Sequence, residues 1–329
     1  MIKAPETSVF HVARGPADEI DCGPLRGAVV AIGNFDGVHR GHRAVIGAAR
    51  KRAQMLGRKT AALTFTPHPR LFLRPQDTLF QLSSDRDKLR LLAATELDGA
   101  IVMNFDAGLA ATSAEDFITR ILVARFDIGG AAIGFDFHFG KNRTGSPVFL
   151  AEQGAKLGFA VDVVPPLEDE GRAVSSGAVR TALSQGKVVE AAELLGAPWF
   201  ASGTVIHGDK RGREFGFPTA NIRLDPSCRL KHGIYAVRVA TAGKRHDGVA
   251  SFGVRPMFDD GVPLLEVNLF DFADDLYGQA IEVAFIGWIR HEQKFESIDA
   301  LKQAMSADAA QARDAIARAG DAFPVLGEI

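Results

Sequence analysis

The sequence predicts an α/β domain built on a parallel sheet, followed by a small antiparallel β-barrel domain with a C-terminal helix. Three observations lead there. Between Gly27 and Val164, short β-rich apolar runs alternate with helix-like segments, the pattern of parallel strands joined by crossover helices. After Gly203 the strands crowd together, separated by Gly- and Asp-rich connections, as in a small barrel or sandwich. At 329 residues the chain is too long for one ordinary hydrophobic core and about right for two.

In chain order, the first strand is read at Ala28–Ile32, and helical spacing begins at His42 and continues to Leu56. Further strands are read at Ala61–Phe65, Ala100–Met103, Ala131–Gly134 and Phe159–Val164, with helices at Ser84–Glu96, Ser113–Val123 and Ser146–Leu157. Helix starts are marked by Ser113 with Asp116 three residues on, and by Ser146 ahead of Pro147. A serine oxygen satisfies a free N–H at the first turn, and proline there has none to satisfy. Pro165–Pro166 and the acidic Glu168, Asp169 and Glu170 predict a surface loop, followed by short helices at Ser176–Gln185 and Val188–Leu195. The boundary falls near Gly186–Pro198 and is drawn as residues 1–186 and 187–329. Barrel strands are read at Thr204–His207, Ile234–Ala240, Gly248–Phe252, Leu264–Phe270 and Ile281–Ile286. The amphipathic segment from Ser297, with Ile298, Leu301 and Met305 on one face, predicts a helix packed on the barrel.

Composition narrows the function classes. Hydrophobic residues make up 47% and charged residues 24%, so neither disorder nor a fibrous class is indicated. A net charge of −2 argues against nucleic acid as a partner, while leaving room for a local basic loop that holds one phosphorylated ligand. Cys22 and Cys228 lack the spacing of a zinc or redox motif and read as free thiols of a reducing compartment. The N-terminus has no basic-then-apolar signal pattern, and no apolar run approaches a membrane span. A cytoplasmic protein without membrane attachment is expected; its oligomeric state stays open.

Two constellations carry chemistry. In the first half, a strand runs into Gly33-Asn34-Phe35-Asp36-Gly37-Val38-His39-Arg40-Gly41-His42, where a helix begins. Glycines let backbone approach a phosphate chain, and the helix start aims N–H groups and partial positive charge at it. His39 and His42, three residues apart, can face one side of the first turn and stabilise growing negative charge. A bare pair at that spacing is more often two satisfied histidines, and zinc is disfavoured because His68 has no carboxylate or thiol beside it to complete a ligand set.

In the second half, Gly203–Arg213 is a strand feeding a basic glycine-rich loop with Gly208, Lys210, Arg211 and Arg213, followed by Pro218-Thr219-Ala220-Asn221. The loop is not a P-loop, since its lysine is not in G-K-[ST], and the charges alone read as a solvated turn. In Leu264–Phe270, alternation places Leu265, Val267 and Leu269 on one face and Glu266 on the other.

Strand, glycine turn, paired histidines and helix resemble the H-x-G-H nucleotidyltransferases. Gly33–His42, Thr64–Pro69, Gly134–Gly140 and Ser175–Arg180 more closely resemble, in order, four motifs of the bacterial bifunctional riboflavin kinase/FAD synthetase family. Pro218–Asn221, Glu266 with Asp271-Phe272 and Asp275–Gly278, and Ile289–Phe295 resemble its kinase motifs, so that the likeness runs from about Gly27 to Met305.

The resemblance implies a Rossmann-like nucleotidyltransferase domain that adenylylates FMN to FAD, and a barrel domain that phosphorylates riboflavin to FMN, with ATP as co-substrate and Mg²⁺ as cofactor. It implies that His39 and His42 stabilise ATP phosphates and that Gly33, Asn34, Phe35 and Asp36 shape the nucleotide site. Asp136 would line the FMN or nucleotide site, and Ser176 and Arg180 would bind phosphate. In the kinase, Gly208, Lys210, Arg213 and Pro218 would surround nucleotide and flavin, and Arg290 would lie near flavin or ADP. Thr219 and Asn221 would hold Mg²⁺, and Glu266 would be the general base. Gly177 stands where the family has threonine, His138 where it commonly has arginine, and Ser251 and Met257 replace an asparagine and a threonine. Alternatives are a riboflavin kinase with an impaired nucleotidyltransferase domain, and a flavin-responsive regulator without catalysis.

Overall fold

Buried β-rich runs build the first sheet. In the computed structural model, which describes residues 9–169, 171–207, 218–254 and 263–329, six parallel strands carry the N-terminal unit: β1 (His11–Gly15), β2 (Val29–Ile32), β3 (Thr60–Thr66), β4 (Gly99–Asn104), β5 (Gly130–Gly134) and β6 (Ala160–Val164). Their spatial order is β1-β4-β3-β2-β5-β6. Strand β2 is buried along its whole length, as a strand covered on both faces must be. Crossovers include α1 (Arg40–Leu56), α2 (Pro69–Leu73), α3 (Asp85–Ala93), α4 (Ala107–Ala111) and α6 (Pro147–Leu157). The core gathers Val30, Ile32, Leu63, Ile101, Met103, Ile118, Leu122, Phe126, Ile133 and Leu150. Each such side chain contributes about 1.5–3 kcal/mol when fully buried.

Serine oxygens start the helices as read: Ser84 Oγ accepts the Asp87 amide at 3.1 Å, Ser113 Oγ the Asp116 amide at 2.9 Å, and Ser146 Oγ the Phe149 amide at 3.1 Å. The short helices α2 and α4 add to the predicted elements, and three further features differ from expectation. Strand β1 lies ahead of the predicted alternation, because it is an edge strand with no fully buried residue and no apolar run. The expected helix over Ser113–Val123 is a short α5 (Ala114–Asp116) that continues with π-helical pairing over Phe117–Arg125. Within the predicted acidic loop, β7 (Glu168–Asp169) and β8 (Arg172–Ala173) pair as a minimal hairpin.

The C-terminal unit holds α7 (Ser176–Ser184), α8 (Val188–Leu195), six antiparallel strands and a long helix. The strands are β9 (Phe200–Thr204), β10 (Ala220–Arg223), β11 (Gly233–Thr241), β12 (Lys244–Val254), β13 (Pro263–Leu269) and β14 (Ala280–Arg290), in the order β10-β13-β12-β11-β14-β9. The Ile206 amide donates to the Asn221 carbonyl at 2.8 Å, drawing the chain after β9 against β10 and nearly closing a barrel. The strand expected at Thr204–His207 therefore lies earlier, sharing only Thr204 with the predicted span, in which Ile206 adds an isolated bridge. Tyr235, fully buried, meets Phe285 and Trp288 edge-on at 5.2 and 5.1 Å between ring centroids. Burial raises its pKa, and its hydroxyl donates to the Lys231 carbonyl. Helix α9 (Ile298–Ala319) sets Ala312 and Ile316 on Ala236, Phe270 and Ile286.

Each unit takes a short segment from elsewhere in the sequence. The N-terminal unit comprises Met1–Leu79, Ser83–Val174 and Val325–Ile329; the C-terminal unit comprises Phe80–Leu82 and Ser175–Pro324. In the first, the Gly327 amide donates to the Arg90 carbonyl at 2.9 Å. In the second, Trp199 Nε1 donates to the Leu82 carbonyl at 2.8 Å.

Close backbone approach makes Gly99 a sensitive point. A Cβ there would lie 2.9 Å from Leu25 Cδ1 and 3.0 Å from the His11 carbonyl carbon, in the rung that pairs β4 with β1. Overpacking of this kind costs about 1–3 kcal/mol. Gly99→Ala is expected to lower the melting temperature of the N-terminal unit, measured calorimetrically, with the barrel's transition unchanged.

Candidate functional site

Strand order sets the position of the first site. The chain leaves β2 toward β3 on one side, while β5 pairs on the other, so connections diverge between β2 and β5. In open parallel sheets such a switch point opens a crevice at the carboxyl ends of the strands. Gly33 follows β2 and Gly134 ends β5, so the glycine turn and Gly134–Gly140 emerge side by side.

The turn is held from within. Phe35 and Val38 adopt positive φ of 51° and 42°, and both are fully buried. Asp36 is 5% exposed; its Oδ1 accepts the Ser83 amide at 3.2 Å, and Ser83 Oγ accepts the Gly37 amide at 3.2 Å. Thr64 Oγ1 donates to the Asn34 carbonyl at 3.2 Å, leaving the Asn34 side chain exposed. Asp36 and Phe35 thus shape the turn through the protein's own interior.

His39 caps α1, with Nδ1 accepting the His42 amide at 3.3 Å. In the neutral ring the proton then sits on Nε2. The rings of His39 and His42 stack 3.6 Å apart, and Phe35 meets His42 edge-on at 5.2 Å. Gly41 allows this packing: a Cβ would lie 3.1 Å from the His39 ring and from the Val174 carbonyl oxygen. Arg40 pairs with Asp169. Burial lowers the pKa of Arg43, one turn further along, whose Nε is buried without a hydrogen-bond partner among the described residues. The result is two imidazoles on a helix start, beside backbone amides, an arrangement suited to negative charge.

Asp136 is exposed after β5, and its carboxylate lies 3.2 Å from where a Cβ of Gly134 would be. His138 Nδ1 bonds the Asp136 carbonyl at 2.9 Å. Ser176 and Arg180 lie on α7 in the C-terminal unit, where Arg180 Nε donates to the Phe80 carbonyl at 2.5 Å. Gly177 has helical backbone, and a Cβ there would meet only Ser175 Oγ, at 3.6 Å, so a side chain fits.

The second site follows from register. Antiparallel pairing sets Asn221 of β10 opposite Glu266 of β13, and Glu266 opposite Ser251 of β12. Cross-strand partners share a face, so amide, carboxylate and hydroxyl form one row. The other face of β13 is buried through Leu265, Val267 and Leu269, as alternation predicts. Asn221 is 3% exposed; Nδ2 donates to the Thr219 carbonyl at 3.4 Å, and Oδ1 has no hydrogen-bond partner among the described residues. A buried oxygen in that state is costly unless a ligand completes it. Thr219 is half-buried and Pro218 exposed.

Ser251 Oγ donates to Glu292 Oε1 at 3.4 Å. Tyr277 lies against His207, ring centroids 3.9 Å apart. The Arg290 fork is engaged by Asp308 through two bonds of 2.7 Å. Gly208, Lys210, Arg213 and Met257 lie outside the described residues. Among the described residues no three His, Cys, Asp or Glu side chains gather as a metal-holding group.

Two residues escaped the sequence reading. Ser83 carries no pattern of its own and is found only because folding brings it to Asp36. Asn268 was legible, since period two puts it on the Glu266 face; it is 8% exposed and donates to the Pro218 carbonyl at 2.8 Å.

Known proteins bear on both sites. The FAD synthetase family model matches residues 23–178, and the riboflavin kinase family model matches residues 195–316. The chain is 41% identical over 289 residues to a bifunctional riboflavin kinase/FMN adenylyltransferase of Pseudomonas fluorescens, covering 88% of this chain and 93% of the relative. Enzymes of the same name from Escherichia coli K12 and Bacillus subtilis are 38% and 37% identical, covering 88% and 87% of this chain and 93% and 91% of theirs. A crystal structure described as a macrolide-efflux protein from Streptococcus pneumoniae superposes with a TM-score of 0.83 at 30% identity, covering 92% of this chain and 99% of that one. Among the described residues here, no helix is long and apolar enough to cross a membrane.

The Ser83 contact can be tested without an activity assay. Ser83→Ala leaves the buried Gly37 amide without its acceptor, a loss of about 1–3 kcal/mol. Amide exchange at Gly37 should accelerate while exchange in β2 and β3 stays at its wild-type rate.

Proposed function

We propose a division of labour for a chain that belongs to the bifunctional riboflavin kinase/FMN adenylyltransferase family: the C-terminal unit phosphorylates riboflavin to FMN, and the N-terminal domain adenylylates FMN to FAD. ATP is the co-substrate of both steps, and the domains are those drawn from sequence, residues 1–186 and 187–329. Two buried free thiols support a cytoplasmic location, where thiols stay reduced.

The observation that carries the kinase half is the pairing of Asn221 with Glu266 across β10 and β13. A ribityl hydroxyl is a weak nucleophile at neutral pH, so a carboxylate must take its proton as oxygen attacks the γ-phosphorus. Glu266 is assigned that proton, and ADP leaves. The residues present fit a magnesium ion: Asn221 Oδ1 is a buried neutral oxygen without a partner among the described residues, and Thr219 offers a hydroxyl two positions away. Mg²⁺ suits such sparse neutral ligands because substrate phosphates supply most of its countercharge, and when bound it neutralises charge on the ATP phosphates. Gly208, Lys210, Arg213 and Pro218 are assigned to the nucleotide and flavin, and Arg290 to their neighbourhood.

In the adenylyltransferase half, an FMN phosphate oxygen attacks the α-phosphorus of ATP, and pyrophosphate leaves without a covalent enzyme intermediate. Positioning and charge stabilisation are the whole requirement. His39 Nε2 and the His42 ring are assigned to the phosphates. Gly33, Asn34 and the α1 amides cradle them, with Phe35 and Asp36 holding the turn. Asp136 is assigned to the FMN or nucleotide site, and Ser176 and Arg180 to phosphate. His39 and His42 stacked at a helix start, with His39 Nδ1 accepting the His42 amide, support this reading.

A reciprocal pair of variants tests the division. Glu266→Gln should lower FMN formation from riboflavin by about 10²–10⁴-fold, the usual worth of a general base, and convert supplied FMN to FAD at the wild-type rate. His42→Ala should do the reverse, with FAD formation falling at least tenfold, as for a lost transition-state donor. Wild-type kinase turnover in Glu266→Gln would overturn the assignment.

A further inference from the structure

We infer that Asn268 is a positioning residue of the kinase site: its side-chain amide sets the backbone that presents Thr219 and Asn221 to a metal-bound nucleotide. The inference rests on the proposed kinase reading and concerns a residue outside the assigned motifs.

Continuing the β10–β13 register beyond Ala220 opposite Val267 would set Thr219 opposite Asn268 and Pro218 opposite Leu269. Backbone pairing cannot run on that far, because proline has no N–H to donate, and β10 begins only at Ala220. A side chain takes over: Asn268 Nδ2 donates to the Pro218 carbonyl at 2.8 Å from the partner strand. That bond orients the Pro218–Thr219 peptide. The next carbonyl, of Thr219, accepts Asn221 Nδ2 at 3.4 Å, and this turns Asn221 Oδ1 to the side where it has no partner among the described residues. The open oxygen thus lies at the end of a short chain of bonds that starts at Asn268.

Burial makes the amide's presence informative. At 8% exposure an amide costs free energy unless it is bonded, and leucine would pack there without that cost. Asn268 also lies two residues from Glu266 on the same strand face, so one strand carries the base and the anchor of the segment facing it. Base and metal-facing oxygens are thereby tied to one backbone.

Calorimetric titration of the full-length protein with ADP in excess Mg²⁺ reads this without turnover. Asn268→Leu should raise the Kd of Mg·ADP about tenfold, the worth of one hydrogen bond. The KM for ATP should rise in parallel, with kcat falling less and the conversion of FMN to FAD unchanged. Asn268→His, which restores an N–H donor of similar reach, should recover most of the affinity. If the leucine variant fails to fold, Asn268→Asp replaces it, with a carboxylate turned on the Pro218 carbonyl and the same weakening expected. Leucine and aspartate variants with wild-type affinity would overturn the inference, and so would equal impairment in leucine and histidine variants, since packing alone would then be responsible. Asn268-dependent binding in a wild-type protein that does not phosphorylate riboflavin would overturn the kinase reading and leave Asn268 as the anchor of a nucleotide-binding segment. A wild-type protein that does not bind Mg·ADP would overturn both.

Discussion

The rung that sets Asn221 opposite Glu266 is the constraint on which the C-terminal site depends. Side chains alternate along a strand, so slipping either strand by one residue would turn one of the pair to the opposite face. The slip is resisted from behind, where Leu265 and Val267 are fully buried and Leu269 nearly so. Burial thus fixes register, and register fixes chemistry. A buried amide oxygen and a carboxylate meet on one face because three apolar side chains claim the other.

The N-terminal unit meets a related demand by different means. Its turn departs from regular structure, with Phe35 and Val38 in a backbone region that costs non-glycine residues about 1–3 kcal/mol each. Full burial of both side chains and the bonds that Ser83 makes with Asp36 and Gly37 offset that cost. The strain has a use. It lets backbone amides and two stacked imidazoles converge at the start of α1, beside the switch point in the strand order. Both candidate sites therefore draw their polar groups together on backbone that buried side chains hold in place.

How much of this was legible depended on whether a feature was local. Parallel strands such as β2 and β3 were read from apolar runs because both faces are buried, and serine caps at Ser113 and Ser146 carried their own signature. Strand β1 was missed because an edge strand with half-exposed residues has no such run, and β10 because it is four residues long and follows a proline. The π-helical stretch after Asp116 has no sequence pattern distinct from an α-helix. Within the sites, His39, His42, Asn221 and Glu266 stood out through their motifs. The stacking of the histidines, the interior bonds of Asp36 and the pairing of Arg290 with Asp308 arise only when distant segments meet. Asn268 lay between these cases, since alternation gave its face and only the fold gave its partner.

The claim that one chain carries two consecutive transferases is tested most directly by following products over time in wild-type protein supplied with riboflavin, ATP and Mg²⁺. The account predicts that FMN appears first and is then converted to FAD, with pyrophosphate released in step with FAD. Accumulation of FMN without FAD would contradict the adenylyltransferase half, and riboflavin left unchanged while supplied FMN still becomes FAD would contradict the kinase half.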